Sequence, residues 1–569
     1  MSETSLTNAQ KRVAALFCVL ILGFSLVFLR IFLVATGEDL QAVAKAQSSY
    51  TLTVDESRGM IYDCNFEPLV NETEGYRLSV LPCDEAAAAL TRSLDMDART
   101  KLMPLFESGK PFVQRFDSPY IYAQGITVFT VKERYAKDQL AAHVVGHLDG
   151  DGQGAYGIER AYNELLTKNS GSLGVTYTVD ALRRPLVNVP PEVKRNNYAN
   201  KQGVVLTIDS EMQKIAEEEG GKLISKGAVV VMEAATGKLR AVASFPDFTP
   251  TNIAASLDNP DSPLINRCFA AYNVGSTFKL SGVAAALEAG ISTDYKYTCE
   301  GSINIDGLNF FCHNRAGHGE LDLWGALEHS CNPYFINLAR ETGYDNVYEM
   351  AVMLGFGKSD ILCDGLKTAE GTLPTMASLQ NNAVLANFAF GQGELTATPV
   401  QIAKMISVFA NGGYMVYPSL VEGISDKQGA MVETPFEASE SYRLLPEDTA
   451  RTVRQLMVSV VEQGSGTNAR PAKGGAGGKT GSAQTGVYNE DKQEIVHAWF
   501  SGFFPAEDPR YVIVVLNEGK DSGGDYSAPV FREIADRITN LEVRRAEAQG
   551  IALAGAVRDA SPDTAPKPD

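Results

Sequence analysis

The 569-residue chain has no CxxC pair, and its eight cysteines and six histidines are scattered without any Cys/His ligand spacing. The sequence therefore offers no metal site. It also lacks a basic run and any interleaving of aromatic with basic residues. With 50 Lys and Arg against 69 Asp and Glu, the net charge is −19, which argues against nucleic acid as a partner. The acidic residues are spread rather than blocked, as on a surface that charge keeps soluble. No internal repeat is visible, so a solenoid is not expected. What the chain does have is core-forming content, 44% hydrophobic against 21% charged, over a length that predicts two or three domains.

One apolar run dominates. Val13–Leu29 reads VAALFCVLILGFSLVFL without a charge, and after Arg30 the run continues to Ala35. At about 1.5 Å per residue this covers a bilayer core of about 30 Å. Lys11 and Arg12 precede it, and Glu38 and Asp39 follow, an asymmetry that predicts a cytoplasmic N-terminus. A cleaved signal peptide is the alternative, but its apolar region runs about 7–15 residues and ends at a small-residue site. The longer run here favours a retained anchor.

The predicted layout is a cytoplasmic segment (1–12), an anchor (13–35), a stalk and pedestal (36–200), a catalytic domain (201–541) and a disordered tail (542–569). Gly37–Asp55 reads as a polar, helical stalk, and the segment from Arg58 to Asn200 mixes short strand and helix patterns. From Gly203 the signals sharpen. VVLTID is a strand, Ser210 opens an amphipathic helix that a Gly pair interrupts, and GAVVVME with KLRAVASF forms a hairpin. A mainly helical region runs from Thr277 to Val408. Then HAWFSGFF and RYVIVVL form a second hairpin, and Val530–Leu541 a helix. Strands at both ends with helices between predict an α+β fold, an antiparallel sheet covered by helices.

Three short motifs carry chemistry. In YNVGSTFKL, Ser276 sits in the first turn of a predicted helix closed by Gly290, and Lys279 lies three residues on, on the same face. Serine is a poor nucleophile until a base takes its proton, and a lysine with a lowered pKa serves. In HSCNPYF, Ser330 and Asn332 flank Cys331 just before a helix that Pro333 starts. In GGKTGSAQ, Lys479, Thr480, Gly481 and Ser482 read as a strand. There a cation and two hydroxyls suit a carboxylate, and Gly481 permits close approach to the backbone. Singly, helix capping explains the first two. A phosphate-loop reading of PAKGGAGGKT fails because Lys473 stands where that pattern needs glycine.

Their order is more specific than any one of them: SxxK, SxN 54 residues later, and KTG after another 149. With these motifs, the chain resembles the class B penicillin-binding proteins, which are peptidoglycan D,D-transpeptidases. Arg58–Asn71 (RGMIYDCNFEPLVN), Gly157–Glu159 with Tyr162, LTID at Leu206, GQGELTATPVQ at Gly391, ANGG at Ala410 and HAWFSGFFP at His497 resemble further blocks of that family. Cys64 and Phe66 depart from its usual Arg and Gly, Asn273-Val274 from a frequent Glu-Pro, and Ser482 from a common Thr.

The resemblance implies a mixed α/β pedestal below a penicillin-binding transpeptidase domain. It implies that Ser276 attacks a D-Ala-D-Ala stem peptide with Lys279 as base, and that Ser330 and Asn332 relay protons and orient the donor. Lys479, Thr480, Gly481 and Ser482 would bind the substrate. No cofactor or metal is implied. The implied partners are peptidoglycan stem peptides, β-lactams as inhibitors, the membrane and a membrane glycan polymerase. The rival readings are a D,D-carboxypeptidase or β-lactamase-like hydrolase and a non-enzymatic penicillin sensor. Cys331 falls inside SxN, and a redox pair between Cys312 and Cys331 is expected beside the alternative that both are buried, small apolar side chains.

Overall fold

A computed structural model describes residues 7–36, 47–186, 188–433, 440–489 and 491–550. Helix α1 (Asn8–Thr36) has 29 residues, none of them buried. It is the one helix among the described residues long and apolar enough to cross a membrane, consistent with a single-pass anchor.

The rest of the chain forms two compact units, the first comprising residues up to Ser57, Glu74–Lys132 and Ser170–Ala199. In it, β1 (Ser49–Ser57), β5 (Gly171–Thr178) and β6 (Glu192–Asn196) make an antiparallel sheet in the order β1-β5-β6. Strands β2 (Glu74–Val80), β3 (Phe112–Phe116) and β4 (Ile126–Lys132) make another, with β2 central. Helices α2 (Asp84–Ser93) and α3 (Met96–Glu107) lay Ala86, Leu90 and Leu102 on Leu78, Val80 and Phe112. The expected helical stalk lies outside the described residues over 37–46, and from Ser49 it is strand instead. The run SYTLTV there alternates hydroxyl-bearing Ser49, Thr51 and Thr53 with apolar Tyr50, Leu52 and Val54, which suits a sheet with one face buried.

The second unit takes Arg58–Thr73, Glu133–Asn169 and everything from Asn200. The chain thus passes between units more than once, where the sequence shows only one change of character, near Gly203. A buried carboxylate gathers the early segments. Glu159, fully buried, pairs with Arg58 at 2.8 Å and Arg134 at 2.7 Å and accepts from the Tyr135 hydroxyl at 3.0 Å. A buried charge with fewer partners would be costly.

After β7 (Gly203–Leu206), five antiparallel strands form the central sheet of this unit. They are β8 (Gly227–Glu233), β9 (Leu239–Phe245), β14 (Gly477–Tyr488), β15 (Glu494–Phe504) and β16 (Tyr511–Glu518), in the order β9-β8-β16-β15-β14. The run VIVVL in β16 is apolar throughout because both faces are covered. Ile513 and Val515 meet α4 (Ser210–Leu223) and α10 (Ala528–Ala548), whereas Val512, Val514 and Leu516 join the core around α8 (Pro399–Ala410). Helix α8 is buried on every side, as its sequence PVQIAKMISVFA suggests. The fold is therefore the expected α+β arrangement, an antiparallel sheet between helical layers.

Two local expectations change. The Gly pair does not interrupt α4, which continues to Leu223. A side chain at Gly220 would meet the Phe245 ring at 2.5 Å, so the glycine serves close helix–sheet packing. The C-terminal helix α10 passes Leu541 and ends at Ala548, seven residues into the segment expected to be a disordered tail. Arg545 holds it there, donating to both oxygens of the nearly buried Asp209 at 2.6 and 2.9 Å. The tail beyond 550 lies outside the described residues. Arg545→Ala should lower stability by about 1–3 kcal/mol, because it removes the cationic partner of a buried carboxylate, and a urea denaturation series checks this.

Candidate active site

The site gathers side chains from the edge strand β14 and from the helical layer beside it. Ser276 lies on a 3₁₀ turn, Gly275–Phe278, that leads directly into α5 (Lys279–Glu288). This is tighter than the helical first turn the sequence predicts. Gly275 has φ +63°, and a side chain on it would meet the Ser482 carbonyl at 3.0 Å. Glycine is needed there both for the turn and for its seating against β14. Gly481 plays the matching part on the strand, as expected. A Cβ on it would lie 2.8 Å from the Thr277 hydroxyl and 3.1 Å from Trp499 Cβ.

Lys279 is fully buried, and its ammonium has three donors to place. They reach the Ser330 carbonyl at 2.7 Å, the Ser330 hydroxyl at 3.1 Å and Asn332 Oδ1 at 2.7 Å. Its Nζ also lies 5.3 Å from the centre of the Phe335 ring. Lys479, equally buried, donates to the same Ser330 hydroxyl at 2.9 Å and to the Thr480 carbonyl at 3.0 Å. One hydroxyl thus stands between two lysine nitrogens. Ser330 reaches this position with φ +49°, a conformation that costs a residue with a side chain about 1–3 kcal/mol. Asn332 then opens α7 (Asn332–Thr342), with Pro333 in its first turn.

Burial dominates the electrostatics. Desolvation pulls Lys279 down to about 7, opposed in part by the thiols of Cys331 and Cys312. Lys479 is held well below its ordinary range by burial and then by the charge of Lys279. Ser276, Ser330, Asn332, Thr480 and Ser482 all line one cleft of about 810 Å³. The structure thus gathers Ser276, Ser330, Asn332, Thr480 and Ser482 along one cleft, and both buried lysines reach it by donating to the Ser330 hydroxyl.

Residues 227–536 match the family described as the penicillin binding protein transpeptidase domain. The chain belongs to that family. Its resemblance to stage V sporulation protein D of Bacillus subtilis extends over 89% of this chain and 82% of that one, at 28% identity. Penicillin-binding protein PbpB of Mycolicibacterium smegmatis is 30% identical over 71% of this chain and 64% of its own length. Among solved structures, the D,D-transpeptidase domain of a peptidoglycan glycosyltransferase from Eggerthella lenta aligns with 86% of this chain and 99% of its own. There the identity is 25% and the TM-score 0.62. Penicillin binding protein 3 of Mycobacterium tuberculosis, solved with aztreonam, shares the fold at a TM-score of 0.63 and 24% identity, over 87% of this chain and 97% of its own.

Within this transpeptidase fold, sequence reasoning missed two groups. The first is Ser465, whose hydroxyl meets that of Thr480 at 2.8 Å. It follows α9 (Glu447–Gln463) in the run GSGT, a loop signal with no chemistry of its own. The second is a cluster of Cys299, Cys312, His318 and Cys331, with one ligand atom of each within 4.8 Å of the others. No motif spacing shows it, yet the fold assembles the Cys/His pattern that the sequence lacks. The expected Cys312–Cys331 pair is brought together here, but both are free thiols. Gly481→Ala should cost about 1–3 kcal/mol by overpacking, read as a lower urea midpoint, whereas Gly282→Ala, in α5 with helical backbone and open space at its Cβ, should cost nothing.

Proposed function

We propose that this chain is a serine D,D-transpeptidase that cross-links peptidoglycan stem peptides through an acyl-enzyme. The observation that carries the reading is the Ser330 hydroxyl held between Lys279 and Lys479, at the floor of the cleft that Ser276 lines.

Two buried ammonium groups sharing one hydroxyl repel each other, and neither is solvated. The neutral form of Lys279 is therefore within easy reach, and a neutral amine is the base that a serine nucleophile requires. Ser276 attacks the carbonyl of the penultimate D-Ala in a donor stem ending D-Ala-D-Ala, and its proton passes to Lys279. The tetrahedral oxyanion is taken up by the backbone N–H groups of Ser276 and Ser482, where a placed donor is worth about 3–4 kcal/mol. Ser330, in contact with both lysines, returns a proton to the departing D-Ala. Asn332 orients the donor and Lys279. Lys479, Thr480, Gly481 and Ser482 shape the end of the site that takes the substrate carboxylate. An amine from a neighbouring stem then accepts the acyl group. Penicillins acylate Ser276 as mimics of the donor.

The charge asymmetry around α1 supports an extracytoplasmic catalytic unit, where stem peptides are available. The first unit would serve as the pedestal, and a membrane glycan polymerase is the natural supplier of uncross-linked strands. No cofactor enters any step.

Two measurements test the reading. Labelling by a fluorescent penicillin should disappear in Ser276→Ala, and equal labelling of the two proteins overturns the assignment. The rate of acylation should also depend on pH through Lys279. The base acts when neutral, so the rate should rise about tenfold per unit below pH 7 and level off above it. Lys279→Arg, which stays charged, should lose about 10²–10⁴-fold at every pH.

A further inference from the structure

The catalytic cleft lies at the β14 edge of the central sheet. Helix α6 (Leu323–Glu328) brings Glu328 to it. The small ladders of β10 (Tyr297–Cys299) with β13 (Gly319–Leu321) and of β11 (Ser302–Ile305) with β12 (Leu308–Phe311) precede that helix in the chain. At the opposite edge of the sheet, four strand spacings or roughly 19 Å away, a second cavity of about 240 Å³ opens between β9, α4 and the helical turn Ala142–Val145. Val242 and Phe245 give it apolar walls, and no lysine or arginine lines it.

Its polar lining consists of hydrogen-bond acceptors. His143 is 3% exposed, with Nε2 2.7 Å from the Pro263 carbonyl. A carbonyl only accepts, so Nε2 carries the proton. Burial pulls the imidazole down to about 4, so near neutrality Nδ1 keeps its lone pair. That lone pair faces Asp247 Oδ1 at 3.5 Å, one acceptor against another. Glu217 receives the Ala141 amide at 2.9 Å and the Gln213 side-chain amide at 2.8 Å, both on Oε1, and among the described residues nothing donates to its Oε2. Ser244 also lines the cavity, but its hydroxyl donates to the Ile265 carbonyl. Arg267, whose charge is felt at His143, is engaged by Glu518 and by the Ser262 and Asp261 carbonyls. Burial accordingly raises Glu217 to about 7 and Asp247 to about 6, with repulsion from Glu218 and Asp138 adding to it. Acceptors left facing one another in a desolvated place are costly unless a donor enters between them.

We propose that this cavity binds a guanidinium group on a short alkyl stem, held by the Asp247 and Glu217 carboxylates and by His143 Nδ1. Among the described residues, the one set of three or more His, Cys, Asp or Glu ligand atoms close enough for a metal ion lies elsewhere. The three acceptors here are therefore spread too widely for one ion. A guanidinium spreads five N–H donors over a planar fork, matches a carboxylate with two parallel bonds and is weakly hydrated, so it enters a half-closed cavity more readily than an ammonium. The stem packs on Val242 and Phe245. The side chain of Asp247, 47% exposed, marks the mouth, and the volume is several times the roughly 30 Å³ of one water.

The test titrates the full-length chain in detergent with n-propylguanidinium, followed by calorimetry. At pH 8 one saturable site is expected, with a dissociation constant of about millimolar or tighter. A carboxyl with a raised pKa is charged only above it, so affinity should rise with pH through about 6 to 7 and level off beyond. Glu217→Gln keeps an oxygen for the Ala141 amide but removes the charge, and Asp247→Asn does the same at the mouth; each should weaken binding about tenfold. Should Glu217→Gln fail to fold, the half-exposed Asp247→Asn still decides. A blocked Gly-Arg-Gly peptide separates the sources: binding close to that of the free cation assigns an arginine side chain of a partner, and its exclusion assigns a small soluble guanidine, both on the same site. No saturable binding at pH 8, or binding that neither substitution weakens, overturns the site. Equal affinity for n-propylammonium overturns the choice of guanidinium. No readout involves acylation of Ser276, so the outcome is independent of the acyl-transfer reading.

Discussion

Two fully buried lysine nitrogens converge on one serine hydroxyl at the edge of an open cleft. The remainder of the site depends on that constraint. Lys279 and Lys479 are both fully buried, and among the described residues no carboxylate bonds to either. Their hydrogen-bond partners are dipoles: the Ser330 and Thr480 carbonyls, the Asn332 amide oxygen and the shared hydroxyl. Desolvation lowers both, and the charge of Lys279 lowers Lys479 further, so that losing the Lys279 proton costs little near neutrality. The ammonium of Lys279 is thus held by neutral acceptors, without a carboxylate beside it.

That arrangement needs precise support, and the fold supplies it by close backbone packing. The 3₁₀ turn that carries Ser276, the edge strand β14 and the loop at Gly523 touch where side chains are missing. A Cβ at Gly481 would meet Thr277 and Trp499, one at Gly275 the Ser482 carbonyl, and one at Gly523 the Trp499 carbonyl at 2.1 Å. Behind them the central sheet is covered on both faces, and the fully buried α8 fills the space under the site. The strained φ of Ser330 persists because its neighbours are held on every side. Cys331 below it, and the groups gathered around that sulfur, belong to the same support.

Much of this was legible in the sequence, and the reason is local periodicity. The strand GAVVVME, the hairpin around Pro505 and the helix opened by Ser210 each carry their own pattern, and the structure gives them nearly those limits. The three motifs were legible through order and spacing, although each alone reads as a helix cap or a turn. What was hidden depends on contacts between distant segments. The split of Arg58–Asn200 between two units follows from Glu159 meeting Arg58 and Arg134, which no window of sequence contains. The strand at Ser49 and the helical end of α10 beyond Leu541 were misread for the same reason, since pairing to β5 and the Arg545–Asp209 contact are tertiary. The Cys/His cluster draws its donors from three separate elements, so it leaves no compact spacing to recognise.

The central claim is that one serine, on the 3₁₀ turn before α5, becomes the acyl carrier. Mass spectrometry of the full chain after brief exposure to benzylpenicillin, followed by peptide mapping, tests it directly. The account predicts a single adduct, located on Ser276. An adduct on Ser330, Ser482 or any other residue, or no covalent adduct at all, would contradict it.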